Sequence, residues 1–528
     1  MTQNMKMFLI FVIGIYFSIP CFAQTLPAWI NLYPFDSHDY GTHESNYKVG
    51  KDGSSIFLGY TETDNPETYL AYLIKYRPDG NIWWSQTIAG LGAYAKMKVD
   101  DSLNAYVCGR IFDSIAGYNI FLTKYYSDGT LAWNFIYDGG SGNDEPFDFS
   151  IDKDHNVFLT GYTYDSQSNN DILIIEINAS GNLAWATSYD HAFDYSETGK
   201  SISTDQIGNI YVTGFSRDTT LGNFVVLKLN SDGNIVWERR FQTNYFGEGD
   251  WIQTFQNEFV YVSGIYSAPG FSKTFIAKLD SSGNMIWSEI YYFNNLQSDQ
   301  GWDTRTGIDV NNNGDVIFTG IYSSEGEFHH CTIVKLNSEG VIQFERSYDT
   351  DLGVAYAEDF SCDSNGNIFL LSELKDSSYS SSKVLVVKYD SSGNILNDFD
   401  YASSLSSQYD LGEIGLDQSS DIFVGGIELQ SNITGFWVAK FGALLDGTAN
   451  VFSTQQEAVL VPSLASNFIR FDIPNAKSDI VSIFNILGDE MIQEKVSGQT
   501  ARIDISELPP GLYIVKDELQ LLGKFVKQ

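Results

Sequence analysis

A short motif that returns about every fifty residues constrains this fold more than any other feature of the sequence. The copy at residues 228–237 reads KLNSDGNIVW, with a lysine at one end and a tryptophan at the other. The glycines at the centre of the copies are Gly80, Gly129, Gly181, Gly233, Gly283, Gly340 and Gly393. Because such a period marks similar units that pack on their neighbours, the sequence predicts a repeat protein.

Each repeat contains four segments with the composition of β-strands. In the fourth repeat they are residues 201–205, 208–214, 224–229 and 235–241, and a short glycine-containing link joins the last two. The third segment is apolar at nearly every position, which indicates a strand covered on both faces. Four-stranded sheets that are covered on both faces and recur at a fixed period are typical of the blades of a β-propeller.

The two ends of the repeat region complement each other. The eighth repeat, at residues 413–442, has three strands and lacks a fourth, while residues 27–35 form an orphan fourth strand ahead of the first repeat. Pairing these pieces would remove both exposed edges. We therefore predict an all-β fold with eight blades closed by the N-terminal strand, and tryptophans wedged between blades. An open stack and two smaller propellers are the alternatives.

The repeat resembles a known bacterial family. The pattern D-x-x-G-N-x-Y-V-T-G, followed by K-Y/L-x-x-x-G-N-x-x-W, is similar to the SBBP-type β-propeller repeats of secreted bacterial proteins, over residues 27 to 442. The family name refers to seven blades, so seven is the alternative count. The resemblance implies a fold and says little about function.

The N-terminal segment, residues 1–23, has the features of a secretory signal peptide. Lys6 precedes an apolar stretch too short to span a bilayer, and small residues precede the expected cleavage after Ala23. The propeller then occupies residues 24–443. The three remaining cysteines, Cys108, Cys331 and Cys362, are too few and too scattered for a disulfide framework, so we expect buried free thiols.

The charge balance excludes one large class of partners. The chain has 31 Lys+Arg against 67 Asp+Glu, a formal net charge of −36, so a nucleic-acid ligand is not expected. Its 43% apolar and 15% aromatic content indicates a folded protein. After residue 20 no stretch is long and apolar enough to span a membrane, so we expect no span in the mature chain.

The repeat stops before a distinct C-terminal region. We predict a linker at residues 444–460 and a small β-sandwich at residues 461–528. The segments VSIFNILGDEM, IDISELPPGLYIVK and GKFVKQ resemble the type A C-terminal sorting domain of the type IX secretion system, although VPSLASN replaces the usual P-N-P-like opening. The matching positions include Gly488, Leu508, Gly511, Tyr513, Lys524 and Lys527. The resemblance implies type IX export from a Bacteroidetes-type bacterium, removal of this domain, and release or attachment to surface lipopolysaccharide.

An acidic residue stands near the start of the first strand in seven of the eight repeats. These residues are Glu44, Glu145, Glu197, Asp250, Asp303, Glu358 and Glu413, while the second repeat has Lys96 instead. First strands line the central channel of a propeller, so a ring of carboxylates there could bind calcium. The alternative, which we favour, is that they cap backbone N–H groups of neighbouring blades.

Aromatic residues in the loops between blades suggest a sugar site. Tyr245, Trp251 and Trp302 lie beside acidic residues and are candidates for stacking on sugar rings, with core packing as the alternative. No catalytic motif with specific spacing is present, and no cofactor is implied. We therefore expect an exported, non-enzymatic module that binds a glycan or a surface protein. A polysaccharide lyase or hydrolase and a passive adhesion component are the alternatives.

Overall fold

The computed structural model divides the 528-residue chain into two compact units, one comprising Gln24–Thr448 and the other containing Ala449–Gln528. The predicted signal peptide and linker lie outside the described residues, so the predicted domain boundaries stay predictions. The described residues are 27–35, 46–62, 69–91, 95–115, 117–140, 142–164, 169–191, 196–217, 222–241, 246–268, 271–291, 301–322, 330–348, 354–375, 381–402, 408–430, 433–442, 464–465, 468–472, 480–485, 490–495, 500–506, 508–509, 511–517 and 521–527.

The described strands of the larger unit form antiparallel groups of four, in which each strand pairs with the next along the chain. Groups one to four are β2–β5 (Asn46–Val49, Ser55–Glu62, Tyr69–Tyr76, Ile82–Leu91), β6–β9 (Lys96–Val99, Ala105–Asp113, Gly117–Tyr125, Leu131–Tyr137), β10–β13 (Asp144–Ile151, Val157–Tyr164, Asn170–Ile177, Leu183–Tyr189) and β14–β17 (Glu197–Thr204, Ile210–Arg217, Gly222–Leu229, Ile235–Phe241). Groups five to seven are β18–β21 (Phe246–Phe255, Phe259–Ala268, Phe271–Asp280, Met285–Tyr291), β22–β25 (Gly301–Val310, Val316–Tyr322, His330–Leu336, Ile342–Tyr348) and β26–β29 (Val354–Cys362, Ile368–Lys375, Ser382–Tyr389, Ile395–Tyr401).

The eighth group takes its fourth strand from the N-terminal end of the chain. It consists of β30 (Gln408–Leu416), β31 (Ile422–Gln430), β32 (Ile433–Phe441) and β1 (Trp29–Phe35). β1 pairs antiparallel with β32, with Trp29 opposite Lys440. The predicted pairing of the orphan strand with the last repeat is therefore confirmed.

The first strands of successive groups contact one another. β2 contacts β6, the contacts continue in order through β30, and β30 contacts β2. The fourth strands carry alternating exposed positions, as in β9 and β13, so they lie on the outside. In a β-propeller the first strands of the sheets lie at the centre and the fourth strands lie on the outside, so this arrangement is typical of that fold. Two bridges also link neighbouring groups, between β5 and β7 and between β20 and β22.

The core lies between the faces of neighbouring sheets. Val225, Val226 and Leu227 in the third strand of group four are each completely buried, as the continuous apolar run predicts. One cluster joins Ile174 of group three to Val212 of group four, so neighbouring groups share a core. Burial of apolar area between sheets is the main favourable contribution to the stability of such an array.

A tryptophan of one group covers the turn glycine of the next group. Each glycine has a φ near +80°, and a Cβ there would lie 2.5 to 3.0 Å from the covering ring. The indole Nε1 of each tryptophan donates to a carbonyl in the same turn at 3.0 to 3.1 Å. The pairs are Trp29–Gly80, Trp84–Gly129, Trp133–Gly181, Trp185–Gly233, Trp237–Gly283 and Trp287–Gly340, with Phe344 over Gly393. The prediction that tryptophans lie between neighbouring sheets is confirmed.

The lysine of the repeat motif joins the same contact. Lys228 lies opposite Trp237 across the hairpin, and both side chains donate to the carbonyl of Ser281 in the next group, at 2.9 and 3.1 Å. Lys75 and Trp84 converge in the same way on Ser127. The spacing of lysine and tryptophan in the motif thus follows from their pairing across a hairpin that faces a neighbour.

Group seven lacks the tryptophan of the repeat motif. Its fourth strand carries Asn397 at the tryptophan position, opposite Lys388. The neighbouring group eight has no hairpin turn between its third and fourth strands, because β32 and β1 come from opposite ends of the region. No turn glycine is therefore present for a ring to cover.

Asx turns recur among the described connections between strands. Asp205 accepts from the backbone N–H groups of Ile207 and Asn209, at 3.1 and 2.8 Å, and Asn311 makes the equivalent bonds in group six. These carboxylates and amides are used by the turns themselves. Of the cysteines, Cys108 and Cys331 are buried as predicted, but Cys362 is exposed because it is the last residue of its strand.

The C-terminal unit is also all β. One sheet has the order β33 (Leu464–Ala465), β39 (Leu521–Lys527), β38 (Gly511–Asp517), β35 (Ile480–Asn485) and β36 (Glu490–Lys495), and a second pairs β34 (Phe468–Asp472) with β37 (Thr500–Asp504). Val481, Ile483 and Ile503 are completely buried. Two sheets with such buried positions are typical of a small β-sandwich.

The stacking of tryptophan on the neighbouring turn can be tested with adjacent residues of one strand. Trp84→Ala should destabilise the protein by about 3 kcal/mol, since it removes a packed ring and leaves the Ser127 carbonyl without its indole donor. Trp83, whose side chain is 47% exposed, provides the matched control, and Trp83→Ala should cost less than about 1 kcal/mol. The midpoint of urea denaturation measures both. Equal losses would contradict the proposed contact.

Candidate functional site

The central first strands of groups two to five line a pocket of about 420 Å³. Its lining is mainly polar and comes from β6, β10, β14 and β18. The residues that the argument uses are Lys96, Lys98, Asp148, Lys200, Asp250 and Trp251. Side chains from four strands thus converge on one concave surface, as in a binding site.

A β-bulge recurs in the described first strands of groups three to eight. In β14 the pairing register shifts between Gly199 and Ser201, and in β18 it shifts between Gly249 and Trp251. A bulge changes the direction of a side chain, and the bulged residues Lys200 and Asp250 line the pocket. The remaining shifts lie at Pro146/Asp148, Arg305/Gly307, Ala357/Asp359 and Leu411/Ile414.

The bulge explains a glycine of the second sequence motif. Gly214 ends the segment YVTG and lies opposite Gly199. A Cβ on Gly214 would collide with the backbone carbonyl of Thr198, and Gly264 has the same relation to Glu248. The motif therefore requires glycine because the bulged first strand approaches the second strand closely.

Lysines dominate one side of the pocket. Lys98 forms an ion pair with Asp148 at 2.8 Å, and Lys200 forms one with Glu248 at 2.9 Å. Lys96 has no ion-pair partner within the described part of the chain. In a protein with a formal charge of −36, three lysines balanced by Asp148, Asp250 and Glu248 make this surface less acidic than the chain as a whole.

Asp148 ties this side of the pocket together. Its carboxylate accepts hydrogen bonds from the Ser201 hydroxyl and the Ile202 backbone N–H of the next group, at 2.9 and 3.1 Å. Burial raises the pKa of Asp148, but Lys98, Lys96 and these hydrogen bonds outweigh burial and hold the pKa below its usual value. Asp148 is thus a permanent anion that positions Lys98.

The first strands of groups seven, eight and one carry a second, more acidic cluster. Lys48 and Glu413 form an ion pair at 2.5 Å, and the Asp359 carboxylate accepts from the Ile414 N–H at 3.1 Å. Burial, and then the charge of Glu413, raise the pKa of Asp359 to about 7, while Lys48 opposes this shift. Burial and the neighbouring Glu413 charge therefore favour the protonated form of Asp359.

The predicted acidic residues do not share one pairing register. Glu197 lies two positions before Gly199, the residue opposite the second-strand glycine Gly214. Asp250 instead is the bulged residue directly after Gly249, which lies opposite Gly264. Glu145 lies one position before the residue opposite its own second-strand glycine and pairs with Arg110 at 3.0 Å. They consequently stand at different levels of their strands. Glu44, and the side chain of Asp303, lie outside the described residues, and Glu358 is half-buried at the bulge of β26.

Two other aspartates make caps of the predicted kind between neighbouring groups, while capping by the predicted acidic residues stays a prediction. Asp148 and Asp359 each accept from a backbone N–H of the following group. Each lies four residues before the aspartate of the following Asx turn. This spacing is visible in the sequence, but the acidic residues selected from the sequence lie nearer the start of each strand. The proposed binding of calcium by a ring of carboxylates stays a prediction.

Of the three aromatic candidates, Trp251 can be placed in the structure. It is half-buried, lines the channel pocket and packs against the apolar cluster that contains Tyr261. Trp251 thus contributes to the core as well as to the pocket, and its stacking on a sugar ring stays a prediction. Tyr245 and the side chain of Trp302 lie outside the described residues.

The sorting residues lie in the C-terminal unit. Leu508 and Tyr513 are buried, and the Tyr513 hydroxyl donates to the carbonyl of Pro509 at 2.8 Å. Gly511 begins β38, and Lys524 and Lys527 lie in β39. Gly488 lies outside the described residues.

Comparison with known families identifies the C-terminal unit. Residues 462–526 match the family described as the secretion system C-terminal sorting domain. The chain is therefore a secreted or cell-surface protein, which confirms the predicted localisation. No curated protein matches the chain. Among the described residues, no helix is long and apolar enough to cross a membrane.

Solved structures are similar to the chain at low sequence identity. Sqt1 from Chaetomium thermophilum has 9% identity and a TM-score of 0.45, covering 78% of this chain and 100% of its own. The polysaccharide lyase Uly1 has 14% identity and a TM-score of 0.44, covering 66% and 89%. The β-propeller domain of the Trilobed protease from Pyrococcus furiosus has 8% identity and a TM-score of 0.40, covering 67% and 96%.

Proposed function

We propose that this chain is an exported binding module whose repeats form a closed, eight-bladed β-propeller of the SBBP type, and that its channel pocket binds an acidic glycan. Its C-terminal unit delivers it through the type IX secretion machinery. The observation that carries the binding proposal is the convergence of Lys96, Lys98 and Lys200 with Trp251 on one pocket.

Contacts between groups eight and one support closure of the ring. The Phe57 and Phe436 rings lie 5.3 Å apart, and Trp29 donates to the carbonyl of Pro78 in the turn of group one. Trp29 also faces Lys440 in the register that the lysine–tryptophan pairs of other groups use. Group eight thus meets group one through the same tryptophan–turn contact that joins groups one to five to their following neighbours.

Removing the N-terminal strand tests closure. Deletion of residues 27–35 should expose the edge of β32 and uncover the Gly80 turn, so the protein should become less stable and self-associate. A synthetic peptide of residues 27–35 should restore the urea midpoint, whereas a scrambled peptide should not. A deleted chain that stays monomeric with an unchanged midpoint would contradict the closed ring.

The chemistry of the pocket supports an acidic carbohydrate. Lysine ammonium groups bind carboxylate or sulfate groups, and an indole face packs on the apolar face of a sugar ring. The ion pairs of Lys98 and Lys200 hold their ammonium groups in place before a ligand arrives, which lowers the entropic cost of binding. Lys96, whose ammonium has no ion-pair partner in the described chain, is the strongest candidate for direct contact.

Substitution of a pocket lysine tests the site. Lys96→Gln should weaken binding of uronic-acid or sulfated oligosaccharides about tenfold, equivalent to about 1.4 kcal/mol, and the remaining affinity should fall with added salt. Trp251→Ala should weaken it comparably. Isothermal titration calorimetry measures the affinity, with Lys153→Gln, an exposed lysine paired to Asp154, as the matched control. If no acidic oligosaccharide binds, the proposal fails and a passive adhesion role is favoured.

One observation favours an enzyme as the second candidate. Asp359, with a pKa of about 7 next to Glu413, has the proton affinity that a general acid or base needs near neutral pH. A polysaccharide lyase or hydrolase would then cleave the glycan that the channel binds. If the protein releases new chain ends from an acidic polysaccharide and Asp359→Asn does not, the enzyme proposal replaces the binding-module proposal.

The sorting domain gives a prediction about localisation. A chain lacking residues 462–528 should accumulate in the periplasm and disappear from the cell surface and the medium, because the type IX machinery reads this domain. Immunoblots of the cell fractions measure this result. Gln493→Ala, an exposed change in the same unit, provides a control that should leave export intact. Normal surface levels of the truncated chain would contradict the assignment.

A further inference from the structure

Three carboxylates meet between groups three and four, away from the channel pocket. Asp171 lies near the start of β12, Asp190 follows the end of β13, and Glu197 begins β14. One oxygen from each carboxylate lies within 4.8 Å of the others. Because Ile172 pairs with Tyr189, the register brings Asp171 and Asp190 to the same end of their sheet.

Glu197 provides a second, independent observation. Its side chain is completely buried, and its Oε1 accepts from the Ser216 hydroxyl at 3.0 Å, but its Oε2 has no hydrogen-bond partner among the residues that the structure describes. A buried carboxylate oxygen without a partner has a large desolvation cost. A cation coordinated by this oxygen and by the two aspartates would remove that cost.

We propose that Asp171, Asp190 and Glu197 form a calcium site that joins the third and fourth groups. Calcium takes oxygen ligands at about 2.3–2.6 Å in flexible geometry, so its ligand oxygens can lie within the observed separation. Asp190 is exposed and leaves room for water to complete the coordination. Extracellular calcium sites commonly have dissociation constants of about 10⁻⁴ to 10⁻³ M, which suits an exported chain.

The electrostatics of Glu197 agree with this assignment. Burial, with smaller contributions from the charges of Asp190 and Asp171, outweighs the Ser216 hydrogen bond and Arg240 and raises the pKa of Glu197 to about 8. Arg240 donates to Ser216 at 3.0 Å and so contributes one positive charge against three carboxyl groups. A divalent ion is therefore the missing counter-charge.

The site differs from the proposed carboxylate ring of the channel. Of its three ligands, Glu197 alone belongs to that ring, and the two aspartates come from a third strand and the end of a fourth strand. A cation here would connect two neighbouring sheets at their edge. Its expected effect is therefore on stability, independent of glycan binding.

A reversal of sign in stability tests the proposal. In EDTA, Glu197→Gln should melt higher than the unaltered full chain, because the substitution removes a buried carboxyl group that lacks a counter-ion. In millimolar calcium the unaltered chain should gain stability by mass action and melt higher than the variant. A structural glutamate without a cation would show the same order in both conditions.

Calcium binding measured directly completes the test. Calorimetric titration with calcium should show a site in the unaltered chain that Glu197→Gln and Asp171→Asn both lose by at least tenfold in affinity. Glu176→Gln, a carboxyl-to-amide change near the other end of β12, is the matched control and should bind normally. Unchanged calcium binding and an unchanged calcium-dependent melting shift in Glu197→Gln would overturn the proposal.

Discussion

The packing of an aromatic ring on the turn glycine of the next sheet is the contact on which the larger unit depends. The ring adds buried area, and its indole N–H satisfies a carbonyl that the turn would otherwise leave to solvent. The same carbonyl often receives the lysine of the paired strand, as at Ser281. Six of the described groups therefore fix the position of the next group by a directional contact in addition to apolar burial.

This contact lies on the outside of the unit, whereas the first strands lie at its centre. The first strands of successive groups contact one another, and the bulges in β14 and β18 direct Lys200 and Asp250 into the pocket. The repeats share this framework but differ in what they place there. Groups two and four contribute Lys96, Lys98 and Lys200, whereas groups seven and eight contribute Asp359 and Glu413. Regular architecture thus carries an uneven charge distribution, and function belongs to the differences between repeats.

Departures from the repeat are informative for the same reason. Asn397 replaces tryptophan where the next group has no hairpin turn, and Glu176 replaces lysine opposite Trp185. Asp190 and Asp171 have no counterpart in the repeat motif, and they meet Glu197 only because two sheets lie side by side. Acidic residues that recur at the repeat spacing include Glu197 but not Asp171 and Asp190. The repeat spacing of the sequence does not reveal which side chains of neighbouring sheets lie close together.

The sequence by itself determined the strands, their order within each repeat and the complementary ends, because alternating polarity, turn glycines and the lysine–tryptophan spacing are local properties. It also determined the sorting domain, whose motifs are contiguous. Only the tertiary structure decided which polar side chains share a site. The bulges shift the register by one residue, so acids that look equivalent along the chain stand at different levels, while Asp148 and Asp359 reach the neighbouring strand. Burial, which moves the pKa of Asp359 and Glu197 toward neutrality, depends on the packed neighbours and so cannot be read from composition.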